Sequence, residues 1–241
     1  IAYQDRVYTD GSGDAAGHRT MASMLLGSGL TFAEVQALDD ELADLRQAQI
    51  ALTPPAWPFD PPDPDAVDRG RDRYEASCAG CHGSTCGPPA PSVIVPADEV
   101  GTDPIRATAF GDVEAAWIDA SWFGQEAPMV STGGYVAPSL VGVWATAPYL
   151  HDGAIPDLAA VLDPSLRPVR WRRTGAEAGD YDPERVGWRY DAVDADTPEP
   201  DPARVTTYDT TRPGLSAAGH TYAEGLSDAD RADLLAFLIT L

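Results

Sequence analysis

Five consecutive residues, Cys78-Ala79-Gly80-Cys81-His82, carry the most specific chemistry in this chain. Two thiols separated by two residues, with an imidazole directly after the second, form the C-x-x-C-H pattern of covalent haem attachment. The thiols become thioethers to the haem vinyl groups, and the adjoining ring is held where it can bind the iron. The pattern occurs once. The expectation is therefore one covalently attached haem c, anchored by Cys78 and Cys81, with His82 as the proximal ligand. A structural zinc site would need two further Cys or His ligands at fixed spacing, and none stands nearby. A redox dithiol would need a strand-to-helix setting and has no use for His82.

The sixth position on the iron decides the function. A thioether there raises the potential relative to two imidazoles, and an open position allows oxygen or peroxide chemistry. By residue type the candidates are His18, His151, His220, Met21, Met24 and Met129, or no protein ligand at all. Glycines lie beside His151 and His220, and glycine lets backbone approach a flat cofactor closely. Spacing alone does not choose among them. The third cysteine, Cys86, is expected to be a small buried side chain near the haem, with an intermolecular disulfide as the alternative.

These residues need elements to hold them. Thr31 and Glu34 form a capping box, and Val35, Leu38, Leu42, Leu45 and Ile50 recur at helical spacing, which predicts an amphipathic helix. Residues 53–65 are dense in proline and form an extended spacer. Asp65 to Ser77 then reads as a helix feeding into the haem motif, with Val67, Gly70, Tyr74 and Cys78 on one side. Residues 112–123 predict a helix that buries Trp117 and Trp122, and 138–144 and 156–162 predict two short ones. Residues 163–215 are polar, with little periodicity. Ser227 and Asp230 cap a last helix whose Leu234, Leu235, Phe237 and Leu238 face the core. The expected fold is all-α: a mono-haem cytochrome c-like domain over 66–241 with long irregular loops, preceded by a helical N-terminal arm and proline-rich spacer over 1–65.

The 241 residues carry a net charge of −22, and all sixteen basic residues are arginine. Such a surface repels nucleic acid and anionic lipid. Docking through a ring of lysines is excluded, and a redox partner protein should be basic. No apolar run is long enough to span a bilayer. Haem attachment of this kind takes place outside the cytoplasm, so a periplasmic or extracellular location is expected, with a leader removed.

A resemblance extends this reading. The run from Gly134 to Leu158, which contains Pro148-Tyr149-Leu150-His151-Asp152-Gly153, resembles a signature of the di-haem cytochrome c peroxidase superfamily. It is closest to the rubber-oxygenase-like branch. Arg167-Pro168, Tyr181-Asp182-Pro183 through Gly187, Gly214 through Tyr222, and Leu226 through Arg231 are similar to the same branch. The likeness covers about residues 66–241, the C-terminal haem domain of that family. It implies a six-coordinate haem whose axial ligands are His82 and His220. It places His151 near the haem without ligating it, hydrogen-bonded to a propionate or a loop, with Trp144 and Tyr149 as further neighbours of the cofactor. In the peroxidase branch a methionine follows the His-Asp-Gly motif, and here Leu158-Ala159-Ala160-Val161-Leu162 has none.

Family members carry a second, catalytic haem in an N-terminal domain, and this chain has no second motif. The reading is thus an electron carrier rather than an enzyme, serving redox partner proteins. The alternative is a peroxidase or oxygenase with an open or displaceable sixth site. The arm has no evident partner within the domain, so it is expected to join a homo-oligomer or larger redox assembly, with His18 either a surface residue or a contact to another subunit.

Overall fold

The computed structural model describes residues 5–86, 91–194 and 206–241. The chain divides into two compact units, one of Ile1–Thr53, Pro89–Pro96 and Arg106–Ser139, the other of Pro54–Pro88, Ala97–Ile105 and Leu140–Leu241.

The second unit is organised by two crossing helices. Asp63 caps the first, Pro64–Ser77, by accepting from the Asp65 N–H, and Pro64 sits in the first turn, where its missing N–H costs nothing. Ser227 caps the second, Asp228–Leu238, by accepting from the Asp230 N–H. They meet at Gly70, where even a methyl group would overlap the carbonyl oxygen of Asp233. Tyr74 packs on Phe237 with ring centroids 5.3 Å apart. Arg69 pairs with Asp233 and Arg73 with Asp230, both at 2.7 Å. The buried core continues through Leu234, Leu238, Ile155, Leu158 and Ala160. Helix Leu158–Leu162 is capped by Asp157, whose buried carboxylate is held by Arg185 at 2.8 Å.

The all-α expectation is corrected here. Helix accounts for 40% of the structure and strand for 13%, in several small sheets, so the fold is mixed α/β. The stretch read as irregular, 163–215, holds most of the difference. Arg170–Arg173 is the middle strand of an antiparallel sheet between Tyr190–Ala192 and Thr207–Asp209. Tyr181–Asp182 pairs with Gly187–Trp188. These strands are two to four residues long, too short to display the alternation by which a strand is recognised. Trp171 anchors the three-stranded sheet, buried and stacked on Tyr208 at 5.5 Å, with its indole N–H donating to the Ala154 carbonyl.

In the first unit the predicted arm helix is two helices, Phe32–Gln36 and Asp39–Ile50. The Thr31–Glu34 capping box is present. The apolar stripe is not continuous, since Leu45 is 53% exposed while Arg46 is buried and donates to the Ala15 carbonyl. Val35 packs with Ala22 and Phe123 in a small core. Trp117, expected inside, is 63% exposed on helix Asp112–Asp119. His18 is neither a free surface residue nor a contact held in reserve. Its ring lies between two carboxylates of the same unit, Nε2 at 2.7 Å from Asp39 and Nδ1 at 2.9 Å from Glu126. Two short pairs, Arg6–Val7 with Gly13–Asp14 and Val93–Pro96 with Gly134–Ala137, complete this unit.

The Gly70 crossing makes a sharp prediction. Alanine is favoured over glycine inside a helix by about 1 kcal/mol, whereas forcing a methyl into a closed contact costs about 1–3 kcal/mol. Gly70→Ala should lower the urea midpoint, because the steric cost exceeds the helical gain. Gly225→Ala, where a methyl meets nothing, should leave it unchanged.

Candidate haem site

Helix Pro64–Ser77 runs directly into the motif. Ala79–His82 forms one further helical turn, with the Cys81 and His82 N–H groups both donating to the Cys78 carbonyl. The turn ends at Gly83, which has a φ of +87°, a conformation natural to glycine. The Tyr74 hydroxyl donates to the Gly83 carbonyl at 2.7 Å and ties the end of the turn back to the helix. Cys78 and Cys81 are free thiols. Burial, and secondarily the neighbouring Cys81, push the Cys78 thiol up to about 11, so it stands protonated at neutral pH. Cys86 is exposed rather than buried, and its N–H donates to Ser84 Oγ.

His220 is brought to this turn from far along the chain. The His82 and His220 ring centroids are 6.1 Å apart, with planes inclined at 63°. His220 has a φ of +48° and follows Gly219 at +74°. A side chain on Gly219 would overlap the backbone of Gly101 and Thr102, and the His220 N–H donates to the Val100 carbonyl at 2.8 Å. Burial above all, then the proximity of His82, pulls the His220 pKa down to about 4. The ring is therefore neutral at neutral pH, the state in which imidazole is a metal ligand. Its Nδ1 is buried and meets no hydrogen-bond partner in another of the described residues.

The residues fit a haem iron. An imidazole nitrogen binds a first-row metal ion at about 2 Å, so two rings bound on opposite sides bring their centroids about 6 Å apart, close to the spacing here. Among the described residues no group of three or more His, Cys, Asp or Glu could hold a metal ion. Tyr222, a residue sequence reasoning assigned no role, lies edge-on to His220 at 5.3 Å. Its only signal in sequence was an aromatic two positions after the histidine.

Three further residues expected near the cofactor, Tyr149, Trp144 and His151, have the following surroundings. Tyr149 is buried, and its hydroxyl lies 3.2 Å from the Val143 carbonyl and 3.1 Å from that of Val186. Trp144 belongs to an aromatic cluster, 5.3 Å from Trp57, and its carbonyl accepts from the Tyr181 hydroxyl at 2.6 Å. His151 stands in a tight turn closed by the Tyr149 and Ile155 backbones. Burial raises the pKa of the adjoining Asp152 carboxyl against the opposing effect of His151. Met129 is buried in the first unit, with its N–H donating to the Asp119 carboxylate.

Residues 134–172 match the family described as RoxA-like, cytochrome c-like. That stretch is similar to a RoxA-like cytochrome c domain, consistent with the resemblance to the rubber-oxygenase-like branch, and a cytochrome c-like domain implies haem binding. The chain is also similar to two Sinorhizobium fredii proteins described as uncharacterized. It is 33% identical to y4iM over 200 residues, 70% of this chain and 44% of that protein. It is 26% identical to y4iJ over 263 residues, 79% of this chain and 41% of that protein. The chain therefore spans less than half the length of these curated relatives.

Tyr149→Phe separates a structural phenol from one that touches the cofactor. It should lower unfolding stability by about 1 kcal/mol, the worth of one hydrogen bond, and leave the haem absorption spectrum unchanged. A shifted spectrum would place the hydroxyl at the haem instead.

Proposed function

We propose that this chain is an extracytoplasmic, mono-haem c-type cytochrome that transfers single electrons. Cys78 and Cys81 hold the haem through thioethers, and His82 and His220 are its two axial ligands. The observation that carries this reading is the facing pair of imidazoles. With both axial sides filled by protein, neither dioxygen nor peroxide has a place to bind. One-electron exchange at iron is the chemistry the haem supplies when bound. The protein's part is to keep His220 neutral and buried, to close the iron to water, and to present a surface for a partner. Two imidazoles set a lower potential than a histidine–methionine pair.

The charge of −22 without a single lysine supports a basic redox partner protein. The thioether attachment supports a periplasmic or extracellular location. The exposed side chains of Met24, Leu45 and Leu52 in the N-terminal region support assembly with further subunits. Among the described residues no helix is long and apolar enough to cross a membrane.

Electron paramagnetic resonance of the oxidised protein, with and without cyanide, tests the reading. The expected result is a low-spin signal unmoved by cyanide, converted to high spin by His220→Ala. A resting high-spin signal that cyanide converts would replace the carrier with a peroxidase or oxygenase, activities known within RoxA-like families. The surface charge makes a second prediction. Added salt should slow reduction by a cationic ruthenium ammine and speed oxidation by ferricyanide, because screening weakens attraction in the first case and repulsion in the second.

A further inference from the structure

Arg167 is the best-connected cation near the candidate site. A guanidinium has five N–H groups in a rigid plane, and here each meets a backbone carbonyl. Nε donates to Ala160 at 3.0 Å. Nη1 donates to Ala217 at 2.7 Å and Gly219 at 2.8 Å. Nη2 donates to Val161 and His220, both at 3.3 Å. Among the described residues no carboxylate makes a direct ion pair with it, and the negative charges that act on it, Glu224 and Asp163, do so at longer range. Arg167 therefore joins the end of helix Leu158–Leu162, a core element, to the loop that carries His220.

That loop needs holding. Two successive residues have positive φ, and the second, His220, is not glycine, so its backbone is strained. Such a backbone turns its carbonyls toward one side, and left alone they would repel one another. Arg167 gathers three of them. On the amide side the His220 N–H is held by Val100. The loop is clamped from both sides, and the imidazole is its projecting group.

We infer that Arg167 is a positioning residue: its fork fixes His220 against the iron, and its charge favours the reduced haem. The inference rests on the proposed histidine pair. Reduction adds an electron to the haem centre, and a fixed cation in a medium of low dielectric stabilises that charge. Lysine keeps the charge but not the planar fork, and glutamine keeps neither.

The test compares Arg167→Lys and Arg167→Gln in the haem-loaded protein, with melting curves to confirm folding. In both, cyanide should bind on the order of tenfold faster or more, since hydrogen bonds from a charged donor are the strong ones. A high-spin fraction should appear, and added imidazole should abolish it. The reduction potential should fall in Arg167→Gln and stay near wild type in Arg167→Lys. Wild-type cyanide rates and spin state in both variants would overturn the inference. So would a high-spin fraction that imidazole does not reverse, because the damage would then lie elsewhere than at His220. A potential unchanged in Arg167→Gln would overturn the role of the charge. A wild-type protein that is already high-spin, or a His220→Ala variant that stays low-spin, overturns the ligand pair itself and this inference with it.

Discussion

The approach of two backbones at Gly70 governs the site. Helix Pro64–Ser77 leads through Cys78 into the turn Ala79–His82, and the segment after His220 leads into helix Asp228–Leu238. Because only a hydrogen atom separates Gly70 from the Asp233 carbonyl, the helices cross at the shortest distance the chain allows. His82 follows the outgoing end of one helix, and His220 lies in the loop that precedes the other. A side chain at Gly70 would push apart the elements that hold both. The flanking Arg69–Asp233 and Arg73–Asp230 pairs are largely solvent-exposed, where ion pairs contribute little. They fix register more than they add stability.

Around that crossing, the site spends its polar groups on backbone. Tyr74 holds Gly83, Tyr149 holds Val143 and Val186, and Tyr181 holds Trp144. Each phenol packs an aromatic ring while its hydroxyl meets a backbone carbonyl outside the named strands. A domain with short strands and long connections has many such carbonyls. His220 differs in that its imidazole is taken out of water, and its Nδ1 is one of several buried polar side-chain atoms that meet no partner in another of the described residues.

What could be read from sequence divides along physical lines. The haem motif was legible because the chemistry forces its five residues to be contiguous. The two crossing helices were legible from their caps and their apolar spacing, and Gly70 fell on the predicted side. The strands were not. A four-residue strand such as Arg170–Arg173, with three arginines and one buried tryptophan, has no period to detect. The break between Gln36 and Asp39 was hidden because a stripe of leucines looks the same whether or not one helix carries it. The pairing of His82 with His220 depends on contacts between distant parts of the chain, and spacing could not choose His220 over His151. It came from resemblance. The five contacts of Arg167 are to carbonyls, which every residue has, so no pattern of side chains announces them.

The exposed position of Cys86 has a practical consequence. With Cys78 and Cys81 taken up under the proposed attachment, it is the one thiol left among three cysteines. It lies just past the axial His82, beside a segment that Glu75 ties to the motif helix through the Thr85 N–H and hydroxyl. A gold surface or a maleimide dye would therefore attach at a single, rigid point close to the iron. The protein comes with a built-in handle for wiring its redox centre to an electrode in one defined orientation.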